Sequence, residues 1–144
     1  MNGFTITRDI VAPPERVWTA FTDAEQYAAW IWPADWETTC EIDPHVGGTF
    51  TVASAPMQMS VQGSYVTVEP FSKLALTWRW GDDTNQSLLT MTFEPTSNGT
   101  HFTLVHENFP TEESRAAHEQ GWNDCLDRLP LYLGAAAPVA PGAP

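Results

Sequence analysis

Between residues 38 and 108 the apolar runs are short, alternate with polar residues and end in turn signals, and this stretch leaves the chain few folds to choose from. The turn signals are Pro44 to Gly48, Ala55-Pro56, Pro70-Phe71-Ser72, Gly81-Asp82-Asp83 and Ser97-Asn98-Gly99. Six strands fit around them at hairpin spacing, which predicts a consecutive antiparallel meander. Leu74, Leu76, Trp78 and Trp80 share one face of their strand, as do Leu89, Met91 and Phe93, and Phe102, Leu104 and His106. The opposite faces carry Thr and Arg, so the sheet is expected to be covered on one side only.

The segments on either side supply an extra strand and the cover. Phe4, Ile6 and Ile10 alternate with polar residues and read as a first strand. Pro13-Pro14-Glu15 opens a helix, because a first-turn proline loses no hydrogen bond, and Val17, Trp18 and Phe21 form its apolar stripe. Thr22-Asp23-Ala24-Glu25 reads as a capping box with Thr22 as N-cap of a second short helix, whose buried face is Tyr27 and Trp30. After Pro110, Thr111 is the expected N-cap of a long helix with acid in its first turn. Its stripe is Trp122, Cys125 or Leu126, Leu129 and Leu133. Pro130 is expected to kink or weaken that helix near Leu126, by about 3 kcal/mol if unrelieved, and Gly134 to end it. Residues 135–144 are Ala, Pro, Gly and one Val, the composition of a disordered or polyproline-like tail. The expected organisation is one domain over residues 1–134 and a tail over 135–144.

Charge narrows the partners. The 144 residues include 18 acidic and 6 basic ones, a formal net charge of −12. Nucleic acid and anionic membrane both require basic patches, so neither is an expected partner. The N-terminus lacks a basic segment followed by an apolar run, and no stretch has the length of a membrane span, so a cytoplasmic location is expected. Cys40 and Cys125 stand alone, which predicts two reduced thiols. No two histidines share a metal-ligand spacing, so neither a metal nor another cofactor is expected.

Seven tryptophans are present: Trp18, Trp30, Trp32, Trp36, Trp78, Trp80 and Trp122. They either fill the core or line a cavity. A pocket of about 300 Å³ left dry would cost roughly 7 kcal/mol, comparable with the whole stability of a domain, so any hollow must hold side chains, water or a ligand. Candidate lining residues are Trp78, Trp80, Met91, Phe93, His106, Trp122 and Leu126, with Tyr65, Met57 and Met59 beside them. The cluster from Trp30 to Trp36 reads as a loop, and Trp30 and Trp32 in it are candidates for a lid, a docking surface or a satellite core. His106 falls on the apolar face, Glu107 on the other, and His118 on the exposed side of the last helix.

Five motifs occur together and in order: APPERVWTAFTDAEQYAAW, DPHVGGTF, GSYVTVEPFSKLALTW, LLTMTFEPTSNGTHFTLVHENF and GWNDCLDRL. Over residues 4 to 133 the chain resembles the START-like (Bet v 1-like) helix-grip proteins of the activator of Hsp90 ATPase homologue type. That resemblance implies an α+β helix-grip fold with a cavity between the curved sheet and the last helix. It implies binding of a hydrophobic or amphipathic small molecule, with a protein-interaction or co-chaperone-like role as one alternative. A cyclase- or hydratase-like enzyme is the other, with His106 as acid–base group aided by Tyr65.

Overall fold

The computed structural model describes residues 2–81 and 83–136. Strand β1 (Asn2–Ile10) leads into helix α1 (Pro14–Thr22), helix α2 (Ala24–Trp30) and a single 3-10 turn (Ala34–Trp36). Six strands follow: β2 (Thr38–Ile42), β3 (Thr49–Ser54), β4 (Met59–Glu69), β5 (Lys73–Trp80), β6 (Ser87–Thr96) and β7 (Gly99–Phe109). Helix α3 (Glu112–Ala136) completes the chain's described part. The sheet order is β1-β7-β6-β5-β4-β3-β2 and every pairing is antiparallel. The meander is therefore the one the turn signals predict, and β1 pairs with β7, the last strand.

Burial alternates as a one-sided sheet requires. On β7, Thr100, Phe102, Leu104 and His106 are buried while the residues between them are half-exposed. Helix α1 packs on β6 and β7, α2 on β2, and α3 on β1 and β7. The β4–β5 pairing shifts register between Tyr65 and Thr67. Beside that irregularity, a Cβ on Gly63 would collide with the Thr77 carbonyl oxygen, so only glycine lets the two strands approach so closely there.

Helix signals hold except at the start of α2 and the end of α3. Asp23, not Thr22, caps α2: its carboxylate accepts from the Gln26 N–H at 3.1 Å. Thr22 is the last residue of α1, and its hydroxyl donates back to the Trp18 carbonyl. Thr111 does cap α3, accepting from the Ser114 N–H at 3.0 Å.

Pro130 lies inside α3, as expected, but Gly134 does not end the helix, which continues to Ala136. Pro130 is exposed, while Leu129 and Leu133 are 0% and 4% exposed. Two buried leucines stabilise by about 1.5–3 kcal/mol each, enough to offset the roughly 3 kcal/mol a helical proline costs. Ala135 and Ala136 thus belong to α3, and the rest of the expected tail lies outside the described residues.

Long-range ties seat α3. The Arg8 guanidinium donates to Asp127 Oδ1 at 3.0 Å and Asn123 Oδ1 at 2.9 Å, and Arg16 donates to the Leu133 carbonyl at 2.9 Å. None of the described helices is long and apolar enough to cross a membrane.

Candidate functional site

A cavity of about 190 Å³ opens between α3 and the segment that follows α2. One wall is Ile31, Trp32, Pro33 and Trp36; the other is His118, Gly121, Trp122, Asp124, Cys125 and Arg128 of α3, with Trp78 of β5 between them. The α3 positions recur at three and four residues, which places them along one stripe of the helix.

The segment from Trp30 to Trp36 forms a fixed wall. Trp30 is the last residue of α2, only 1% exposed, and donates its indole N–H to the Ala20 carbonyl at 3.0 Å. Arg128 Nε donates to the Trp30 carbonyl and Nη2 to the Ile31 carbonyl, at 2.9 and 2.7 Å. The Cys125 thiol also donates to Ile31 O, at 2.9 Å. Cationic donors suit the carbonyls that a helix C-terminus leaves open. Farther along, Ser54 donates to the Trp36 carbonyl, and Trp32 stacks on Trp80 with ring centroids 6.0 Å apart. Trp32 is 6% exposed. The cluster is therefore part of the core and its boundary, because Trp30 and Trp32 both reach inward despite their close spacing.

Behind the cavity lies a chain of buried polar groups. Trp122 Nε1 donates to His106 Nδ1 at 3.0 Å, and His106 Nε2 lies 2.7 Å from Ser87 Oγ, whose hydroxyl donates to the Trp78 carbonyl at 3.2 Å. An indole can only donate, so Nδ1 must be the acceptor and the proton of neutral His106 sits on Nε2, directed at Ser87. Burial drives the His106 pKa down to about 3, with the neighbouring His118 adding to the effect.

His118 is not on the exposed side of α3. It is half-buried, packs on Phe109 and His106, donates from Nδ1 to the Ser114 carbonyl and accepts from Trp80 Nε1 at 2.7 Å. Burial lowers its pKa as well. The four-residue spacing from His118 to Trp122 was the available signal for this placement, since it puts both on one helical face.

The remaining candidates separate by depth. Trp32, Trp78 and Trp122 line the cavity, and Trp80 stands behind Trp32. His106 is fully buried one hydrogen bond away. Met91, Phe93 and Leu126 fill the core, between 1% and 2% exposed, and do not border the cavity. Tyr65 packs against Phe50, away from it, and burial pushes its hydroxyl pKa up. His106 and Tyr65 therefore do not open onto a common cavity, which the acid–base pairing required. Met57 is exposed at 45% and Met59 is half-buried against the core.

Four residues of the site were missed from sequence: Gly121, Asp124, Cys125 in its polar role, and Arg128. Burial raises the Cys125 thiol to about 12, which keeps it protonated as the donor to Ile31. Cys40, half-buried, is likewise pushed up to about 12 by burial. No cluster of three or more His, Cys, Asp or Glu is placed to hold a metal among the described residues.

Solved structures share this architecture. Protein CV1439 of Chromobacterium violaceum is 28% identical with a TM-score of 0.77, covering 91% of this chain and 96% of its own. Protein MLL2253 of Mesorhizobium loti is 24% identical, TM-score 0.81, covering 93% and 98%. PFC0360w, an HSP90 activator of Plasmodium falciparum, is 23% identical, TM-score 0.78, covering 93% and 97%. The last two bear on the fold alone. No curated protein matches the chain. The sequence model described as activator of Hsp90 ATPase homolog 1-like protein matches residues 11–134, nearly the whole described chain, and this protein therefore belongs to that family.

Proposed function

We propose that this protein binds a small apolar or amphipathic molecule in the cavity between α3 and the Trp32–Trp36 segment. The observation that carries the reading is Gly121. It lies in the interior of a 25-residue helix, where glycine costs about 1 kcal/mol relative to alanine. It lines the cavity, and a Cβ built there meets nothing within 4 Å. A side chain would fit, so packing does not demand the glycine; its effect is to leave the mouth open.

The walls supply the affinity. Covering about 250 Å² of ligand at about 25 cal/mol per Å² contributes roughly 6 kcal/mol before the cost of association. Indoles add stacking contacts at little loss of side-chain freedom.

Gly121→Leu tests the idea by plugging the mouth without removing a hydrogen bond. Titration of native protein with 2-phenylethanol or dodecanoate, followed through the indole N–H resonances, is expected to shift Trp32 and Trp122. The leucine variant is expected to lose that response while its unfolding midpoint stays at or above the native value. Undiminished binding in the variant would place the ligand elsewhere, and no response in native protein to these compounds or to charged single-ring compounds of the same size would remove the proposal.

A further inference from the structure

The polar groups of the cavity lack one kind of partner. Trp78 Nε1 is buried with no hydrogen-bond partner, on a side chain only 4% exposed. Such a donor is costly to leave unmade. Arg128, half-buried on the cavity wall, uses Nε and Nη2 on backbone carbonyls and forms no ion pair among the described residues. Its Nη1 has no hydrogen-bond partner among them either. His118 and Cys125 are already engaged, His118 at both nitrogens and the Cys125 thiol at Ile31. What the site lacks is an acceptor, preferably an anionic one.

Asp124 is the one acid lining the cavity. It is exposed, where water screens it, and it already accepts from Gln120 at 3.1 Å. Arg128 lies deeper, so its charge is the less screened of the two. The net charge of −12 opposes an anion at long range, but at physiological salt charges beyond about 8 Å are largely screened.

Size sets the other half of the specification. An apolar cavity of about 150 Å³ accommodates a benzene ring. At about 190 Å³, this one has space for a single ring and a short polar head. Trp32, Trp36, Trp78 and Trp122 give the ring aromatic neighbours on both walls.

Resting on the ligand-binding reading above, we infer that the occupant is a single-ring aromatic acid, its ring among the four indoles and its carboxylate on the Arg128 guanidinium. A carboxylate accepts from guanidinium in charge-assisted bonds, which a neutral head group of the same size cannot match.

Three probes of one size separate the possibilities: phenylacetate, 2-phenylethanol and 2-phenylethylamine, with dodecanoate as the chain-shaped acid. Phenylacetate is expected to bind native protein about tenfold more tightly than 2-phenylethanol, and to shift the Trp78 indole resonance. In Arg128→Gln that advantage is expected to disappear while 2-phenylethanol binds as before, which also reports that the cavity is intact. If Arg128→Gln fails to fold, the order of the probes on native protein decides. Equal affinity of acid and alcohol, tightest binding of the amine, or preference for dodecanoate would each overturn the aromatic-acid assignment and leave the cavity a binding site. Silence from all four compounds would overturn the binding reading itself.

Discussion

The two ends of the core contain similar rings and use them differently. Toward α1 and α2, Trp18, Phe21, Phe93 and Phe102 pack edge-on and stacked, with centroids 5.3 to 5.9 Å apart. Toward the start of α3, Trp78, Trp80, Trp122, His106 and His118 are just as close, but two indole N–H groups donate to two imidazoles. The phenylalanine end is closed. The tryptophan–histidine end borders the cavity. At that end the Trp80 and Trp122 N–H groups are held by His118 and His106, which fixes ring positions and leaves spaces between them.

Three experiments bear on that contrast. The largest effect is expected from Phe102→Ala, which empties the closed end and should cost about 3–5 kcal/mol in urea unfolding. Trp36→Ala, at the cavity boundary where the side chain is only partly buried, should cost clearly less. Equal losses would mean that the two ends are not different in kind.

The second effect is on pH dependence. His106 titrates at about 3 in the folded protein and near 6.5 once unfolded. Above about pH 6.5 neither state binds the proton and there is no penalty. As pH falls from there toward 3 the unfolded chain takes up a proton that the folded one refuses, so stability falls, by up to about tenfold in the folding constant per pH unit. His118, also lowered, acts in the same direction. The difference in stability between native protein and His106→Phe should therefore shrink as pH drops from 7 to 4. A difference constant over that range would show that His106 is not held neutral.

The smallest effect is a gain. Gly121→Ala should stabilise α3 by about 1 kcal/mol, since alanine is the better helix former and its Cβ meets open space. A loss of stability would mean that the stripe facing the cavity is tighter than the closed end.

Most of the fold was legible from alternation and turn residues, because a meander pairs strands that are neighbours in sequence and each hairpin declares itself locally. Leu89, Met91 and Phe93 could be placed on the inner face from period alone. The site was less legible, for the opposite reason. That Met91 and Phe93 fill space while Trp32 and Trp122 border it depends on how far α3 stands from the Trp32–Trp36 segment, a distance no local pattern encodes. Arg128 shows no sign in sequence that its partners are the Trp30 and Ile31 carbonyls, and Thr22 lost the N-cap to Asp23 because α1 extends one residue further than the motif implied.

The ties that seat α3 carry a consequence for the order of assembly. Arg128 and Cys125 bond to carbonyls 94 to 98 residues earlier, and Arg8 and Arg16 reach 115 to 119 residues ahead. Strand pairs in the meander close short loops, whereas these contacts close loops of 94 to 119 residues and carry the larger entropy cost. During synthesis the Trp32 wall exists long before the Trp122 wall is made. The cavity is thus the last part of the domain to come into being, and undocking of one helix is enough to abolish it while the sheet remains paired.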